Sequence, residues 1–165
     1  MNSKLKLIDE IKKKMHELRR NNPNIKIVTT NGAFDLLHVG HLKSLEEAKK
    51  CGDVLIVGLN SDSSIKQYKS KDRPIISQND RAKMLSALEC VDYVVIFDEP
   101  NPCKMLEAIK PDFHVKSKSG FLGIEKDVVE KGGGRVVLIR PVKGVSTTNI
   151  SKRIFEICSK EIRIK

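Results

Sequence analysis

The chain has 165 residues, 39% of them hydrophobic and 32% charged, and a formal net charge of +10. That length suits one domain able to bury roughly 70% of its unfolded surface, and no stretch approaches the ~20 apolar residues of a membrane-spanning helix. The charge favours anionic partners, whether nucleic acid, acidic surfaces or phosphorylated small molecules, but with no Trp, five Phe and two Tyr the stacking platforms of a single-strand binder are scarce.

Residues 1–24 read as an amphipathic helix and linker. Leu5, Ile8, Ile11, Met15 and Leu18 recur at helical spacing, and "NNPN" at 21–24 breaks the pattern. The segment is basic and lacks an apolar signal core. "IKIVTT" follows as a β-branched strand, then "GHLKSLEEAKKCG" as a helix with Leu42, Leu45 and Ala48 on one side and Gly52 as its stop. "DVLIVGL" at 53–59 is a nearly continuous apolar run, the mark of a strand covered on both faces. The alternation continues with a helix over 78–90, "VDYVVIF" as strand, a helix over 102–109, "DFHVK" as strand, a helix over 123–131, "RVVLI" as strand and a last helix from 147. Five strands interleaved with helices predict an α/β domain, a doubly wound parallel sheet over 25–158, with 159–165 as a loosely held tail. Cysteines at 51, 90, 103 and 158 form no CxxC pair, so neither a zinc site nor a disulfide framework is indicated, and a reducing cytoplasm is expected.

The stretch "TTNGAFDLLHVGH" at 29–41 falls after the first of these strands, where such sheets bind ligands. A glycine at 40 lets a ligand approach the backbone, and the amides of the first helical turn suit an anion. His38 in the loop and His41 in the first turn then point toward the same oxyanions; taken singly, each histidine equally suits a cap or a core position. Metal binding would need more ligands than these two and Asp35. Neither GxxxxGK[ST] nor GxGxxG occurs, so no P-loop or dinucleotide fingerprint explains the turn.

"TNGAFDLLHVGH" resembles the signature of the HxGH nucleotidyltransferase superfamily. Its continuation "LKSLEEAKKCGDVLIVGLNSDSSIKQYK" and the later "RPI" resemble the branch of heptose 1-phosphate adenylyltransferases and glycerol-3-phosphate cytidylyltransferases. The likeness covers residues 25–155, and "GVSTTNI" at 144–150 matches a second family motif. It implies a Rossmann-like fold and transfer of a nucleotidyl group from an NTP to a phosphorylated acceptor, with pyrophosphate released and Mg²⁺ accompanying the triphosphate. ATP is the preferred nucleotide and CTP the next; glycerol 3-phosphate and FMN are alternative acceptors to a heptose-like sugar phosphate. A homodimer is expected from the likeness. So is a stand-alone transferase, since only a short helix precedes the domain. The non-enzymatic alternative is a basic nucleic-acid-binding module.

Carried over residue by residue, the resemblance makes His38 and His41 catalytic, as charged imidazoles clamping phosphates. Lys43 faces either solvent or the acceptor phosphate. Asn31, Gly32, Ala33 and Phe34 line the nucleotide, with backbone contacts from the last three, and Gly40 gives clearance. Asp35 either positions the loop, contacts the acceptor or stabilises its own turn. Asp62 matches an acidic position, and Lys66, Lys69 and Lys71 a basic region, of which Lys71 is the candidate taken forward. Arg73 and Arg81 either grip phosphates bidentately or form salt bridges. Ser146, Thr147 and Thr148 combine a helix N-cap with hydroxyl donors at a second helix start. Lys116 survives from a family "VKGGDY"-like stretch, but this chain reads "VKSKSGFLGIEKD", which puts acceptor and base identity in doubt.

Overall fold

The structure, a computed structural model, describes residues 4–118, 121, 123–142 and 144–162. Its centre is an all-parallel sheet of six strands: β1 (Leu5–Lys6), β2 (Ile27–Gly32), β3 (Val54–Asn60), β4 (Tyr93–Phe97), β5 (Phe113–Ser117) and β6 (Arg135–Ile139). They lie in the order β1-β4-β3-β2-β5-β6. The five expected strands are present and β1 is an addition. Leu5 stands three residues before Ile8, so helical spacing absorbs it, and a two-residue strand has no alternation with which to compete. In the fold Leu5 and Lys6 pair with Val94 and Val95, and α1 (Ile8–Asn21) begins only afterwards. Because α1 buries Ile11 and Met15 in the same core as β2, β3 and β4, that helix packs as part of the sheet's own layer.

The remaining helices are α2 (Val39–Lys49), α3 (Asp62–Tyr68), α4 (Gln78–Ala87), α5 (Cys103–Ile109), α6 (Ile124–Lys131) and α7 (Thr147–Ile162). The sequence reading had no counterpart for α3, which starts at Ser61, whose hydroxyl accepts from Ser64 N at 3.1 Å. Residues 159–162, expected as tail, continue α7. Residues 163–165 of that tail, and 119, 120 and 122 of the divergent loop, lie outside the described residues.

Alternation along the strands divides the core in two. Leu55, Val57 and Leu59 meet Leu45 of α2 and Leu85 of α4, whereas Ile56 meets Ile11 of α1 and Met105 of α5. Each fully buried side chain of this kind contributes roughly 1.5–3 kcal/mol, so both helical layers are firmly attached. Aspartates staple the strand starts at the edge opposite the site: Asp112 accepts from Ile27 N at 3.0 Å and Asp92 from Leu55 N at 2.7 Å.

From β2 the chain winds through β3 and β4 on one side and then returns to β5 and β6 on the other. The crevice of such a sheet opens where that reversal occurs. Here β2 and β5 pair only through Val28–Phe113 and Thr29–His114, and their C-terminal ends part beyond that point. His114 has no exposed surface, and its Nδ1 lies 2.9 Å from Thr29 Oγ1. Burial, followed by the nearby positive charge of Lys116, pushes His114 down to about 3.

The folded state therefore resists protonating His114 while the unfolded chain takes a proton near pH 6.5. Stability is complete above that value and falls as pH drops from about 6.5 toward 3, at most by about 1.4 kcal/mol per pH unit from this group. Urea unfolding of the wild type and of His114→Asn at pH 7, 6 and 5 checks this. The variant should be weaker throughout yet show a shallower loss with acid; parallel curves would contradict it.

Candidate active site

Two glycines shape the turn between β2 and α2. Phe34 adopts φ 47°, unusual for a residue with a side chain, and its buried ring lies back over Gly32, where a Cβ would come within 3.2 Å of the ring. A Cβ on Gly40 would come within 2.9 Å of the His38 ring. Gly40 thus makes room for an imidazole of the chain itself, rather than the ligand clearance expected from sequence.

His38 caps α2. Its Nδ1 accepts from Gly40 N at 3.1 Å and His41 N at 3.3 Å, so two amides expected to face an anion are already engaged. An accepting Nδ1 leaves the proton of neutral His38 on Nε2. The two imidazoles stack, with centroids 3.8 Å apart and planes 20° from parallel, and Phe34 flanks His41 at 5.2 Å. Burial lowers His38, and burial together with the charges of His38 and Lys69 lowers His41 to about 4. Both rings are neutral near pH 7 without a ligand, since two rings this close repel when both are protonated; the charged form expected from sequence was one stabilised by a bound triphosphate. The buried His41 Nδ1 has no partner among the described residues.

Arg81 occupies a different place from that expected of a phosphate ligand. Its side chain is 0% exposed. Nε donates to Ile76 O at 2.9 Å, Nη1 to Ala33 O and to Asn60 O, and Nη2 to Asp62 Oδ1 at 2.6 Å. It ties the turn after β2, the end of β3 and the start of α3 to the loop before α4. Asp35 is a second tie across loops, not a brace of its own turn. Its Oδ1 accepts from Ile75 N at 2.8 Å and Ile76 N at 3.0 Å, and its Oδ2 from Arg73 Nη1 at 3.1 Å. Arg73 extends the chain by donating from Nη2 to Ser151 Oγ at 3.2 Å, which brings the first turns of α7 to the same place.

The structure therefore gathers Asn31, Gly32, Ala33, Phe34, Asp35, His38, Gly40, His41, Asp62, Arg73, Arg81 and the start of α7 around the C-terminal ends of β2 and β3. Lys116 reaches the same edge from β5, donating to Asn31 Oδ1 at 2.9 Å. Ser146 is the N-cap of α7, its Oγ accepting from Asn149 N at 3.1 Å; Thr147 is half-buried and Thr148 exposed, neither with a partner among the described residues. Lys43 and Lys71 are exposed and make no ion pair among the described residues. The lysine whose charge is felt at the histidines is Lys69, which also lies in the field of Asp35, Arg73 and Arg81. Sequence reasoning placed Lys69 in a basic run but had no means of ranking it above Lys71, since spacing alone does not say which of these exposed lysines lies in reach of His41. Ser151 escaped notice as well, although it lies one helical turn beyond Ser146–Thr148.

Among the described residues no group of three or more His, Cys, Asp or Glu is placed to hold a metal ion. Both Asp35 oxygens already accept hydrogen bonds, from Ile75 N and Ile76 N and from Arg73 Nη1. A surface groove of about 810 Å³ between α1 and α5 is lined by Lys12, Arg20 and Glu107 and by none of these residues.

A cytidylyltransferase-like family model matches residues 29–163. The chain belongs to that cytidylyltransferase-like family. It is a nucleotidyltransferase by that membership, and the match runs from the histidine turn through α7. Proteins named Bifunctional protein HldE are similar to it: that of Geobacter metallireducens is 52% identical over 82% of this chain and 28% of its own length, and that of Aliarcobacter butzleri 51% identical over 94% and 32%. The chain thus spans about three-tenths of the length of these relatives. A crystal structure of the lipopolysaccharide core biosynthesis protein from Thermoplasma volcanium superposes with a TM-score of 0.62 at 31% identity, over 74% of this chain and 100% of that one. No helix among the described residues is long and apolar enough to cross a membrane.

If Arg81 is a clamp within the protein, Arg81→Met should destabilise this family member by about 3 kcal/mol, because three carbonyls and a carboxylate lose their partner. The figure sits at the low end of the range for a broken buried pair, since Asp62 keeps 34% of its side chain in water. Urea unfolding measures it. A loss below about 1 kcal/mol would return Arg81 to the phosphate contacts.

Proposed function

We propose that the chain transfers a nucleotidyl group, adenylyl by preference, from a nucleoside triphosphate to a phosphorylated sugar or polyol. An acceptor phosphate oxygen attacks the α-phosphorus; the new P–O bond forms as the bond to the β-phosphate oxygen breaks, and pyrophosphate leaves. The observation that carries this reading is the stacked His38–His41 pair on the N-terminus of α2, with the charge of Lys69 felt at His41, Arg73 paired to Asp35 of the same turn and Lys116 on Asn31 at the end of β2. The HldE relatives and the lipopolysaccharide core biosynthesis protein support a sugar phosphate as acceptor. The family description keeps CTP as the second nucleotide.

The protein's part is positioning and charge stabilisation. His38 Nε2–H is a fixed neutral donor. The long bonds from Gly40 N and His41 N to His38 Nδ1 yield to a phosphate oxygen, a stronger acceptor than a ring nitrogen. His41 adds an unengaged ring nitrogen, and the arginine and lysine charges oppose repulsion between two anions brought together. Magnesium arriving with the triphosphate supplies further neutralisation.

His41→Ala should lower turnover at least 100-fold, or about 3 kcal/mol of transition-state stabilisation. The measurement is pyrophosphate release across ATP, CTP, GTP and UTP against heptose 1-phosphate, glycerol 3-phosphate and FMN. Silence in every combination would end the reading. A cytoplasmic homodimer belongs to the same proposal, supported by four free cysteines and by the exposed Ile154, Phe155 and Ile157 on α7. Light scattering should return twice the chain's mass, and Phe155→Asp should halve it; a monomeric wild type removes the dimer.

A further inference from the structure

Beyond Thr29 and His114 nothing in the β2–β5 ladder closes the crevice, and one side chain spans it. Lys116 Nζ lies 2.9 Å from Asn31 Oδ1 and 3.4 Å from Asn31 O, linking the two diverging strand ends. Behind it, on the first turn of α6, stands Glu125, with Oε1 3.7 Å from Nζ. Both side chains are withdrawn from water, at 12% and 4% exposure. Glu125 Oε2 is buried without a hydrogen-bond partner among the described residues.

Burying a carboxylate this deeply is expensive unless its charge is answered, and the same holds for an ammonium. The groups facing Lys116 are Asn31 from β2, Glu125 from α6 and, two residues back on its own strand, His114. Glu125 is the anion among them. Its charge also reaches Cys103 at the start of α5, which burial already raises. Packing alone gives no reason for an acid here, because α6 buries Val129 against the same layer with an apolar side chain.

We propose that Glu125 is a positioning residue for the crevice: it holds the Lys116 ammonium against Asn31, so that the floor between β2 and β5 presents one fixed positive charge to an anionic substrate. This rests on the nucleotidyl-transfer reading for the identity of that substrate. Burial weakens the hold of Lys116 on its proton and Glu125 opposes that effect. Removing the carboxylate should therefore lower the pH at which Lys116 becomes neutral.

The test uses Glu125→Gln, which preserves shape. NMR of isotope-labelled lysine follows Lys116 directly, and in the variant its resonance should titrate at lower pH than in the wild type. In parallel, KM for a phosphorylated substrate should rise about tenfold with kcat changed less, and the alkaline limb of kcat/KM should move to lower pH. The same substitution in a Lys116→Met background should add nothing further. Should Glu125→Gln fail to fold, Glu125→Asp, which keeps the charge, and Lys116→Arg, whose guanidinium keeps its proton without Glu125, take its place. Both should then retain the wild-type KM within a few-fold, and loss of binding in both would overturn the proposal. An unmoved Lys116 titration, or an undiminished effect in the Lys116→Met background, would do the same. Because the titration needs no turnover, a wild type that releases no pyrophosphate would reject the catalytic reading and leave Glu125 to be decided by the spectrum.

Discussion

The guanidinium of Arg81, shut away from water, meets the carbonyls of Ala33, Asn60 and Ile76 and the carboxylate of Asp62. Those partners come from three stretches of chain, of which the farthest, at Ala33, lies 48 residues before Arg81. A charge removed from solvent has to be surrounded by acceptors or the fold does not tolerate it. Satisfying this one cation fixes where the turn after β2 leaves the sheet, where α3 begins and how the loop before α4 returns. The histidine turn inherits its position from that requirement.

Around the clamp lie further cations that each meet a carboxylate, Arg73 at Asp35 and Lys116 at Glu125. The charge of Lys69 is felt at His41, and Asp35 is used up in bracing the 73–76 loop. Two stacked rings that are both neutral do not repel each other. Deeper in the same crevice Thr29 and His114 form a polar layer with no access to solvent, which marks the floor below which the two strands stay paired.

Much of this was written in the sequence. The strands announced themselves because both faces are covered, so "DVLIVGL" and "VDYVVIF" are almost wholly apolar, and the glycine-flanked histidines stood out by residue type. What was hidden were matters of partner choice. Arg73 and Arg81 look alike as residue types, yet one is half-exposed between Asp35 and Ser151 while the other is sealed beneath the site. The three lysines of 66–71 differ only in the direction that the end of α3 gives them. Glu125 looked like any charge on a helix, because its significance comes from Lys116, nine positions earlier and on another element. The strand β1 was hidden for a simpler reason: two residues carry too little pattern to outweigh a neighbouring helix.

Arg73 also joins two parts of the molecule that have few other ties described here: the loop held by Asp35, and the opening turns of α7 through Ser151. Its guanidinium has a limited number of N–H groups to offer. Two of its five are spent among the described residues, one on each of these parts. A single guanidinium thus moors the last helix to the loop beside the histidine turn, and the placing of α7 depends on how firmly that loop is held.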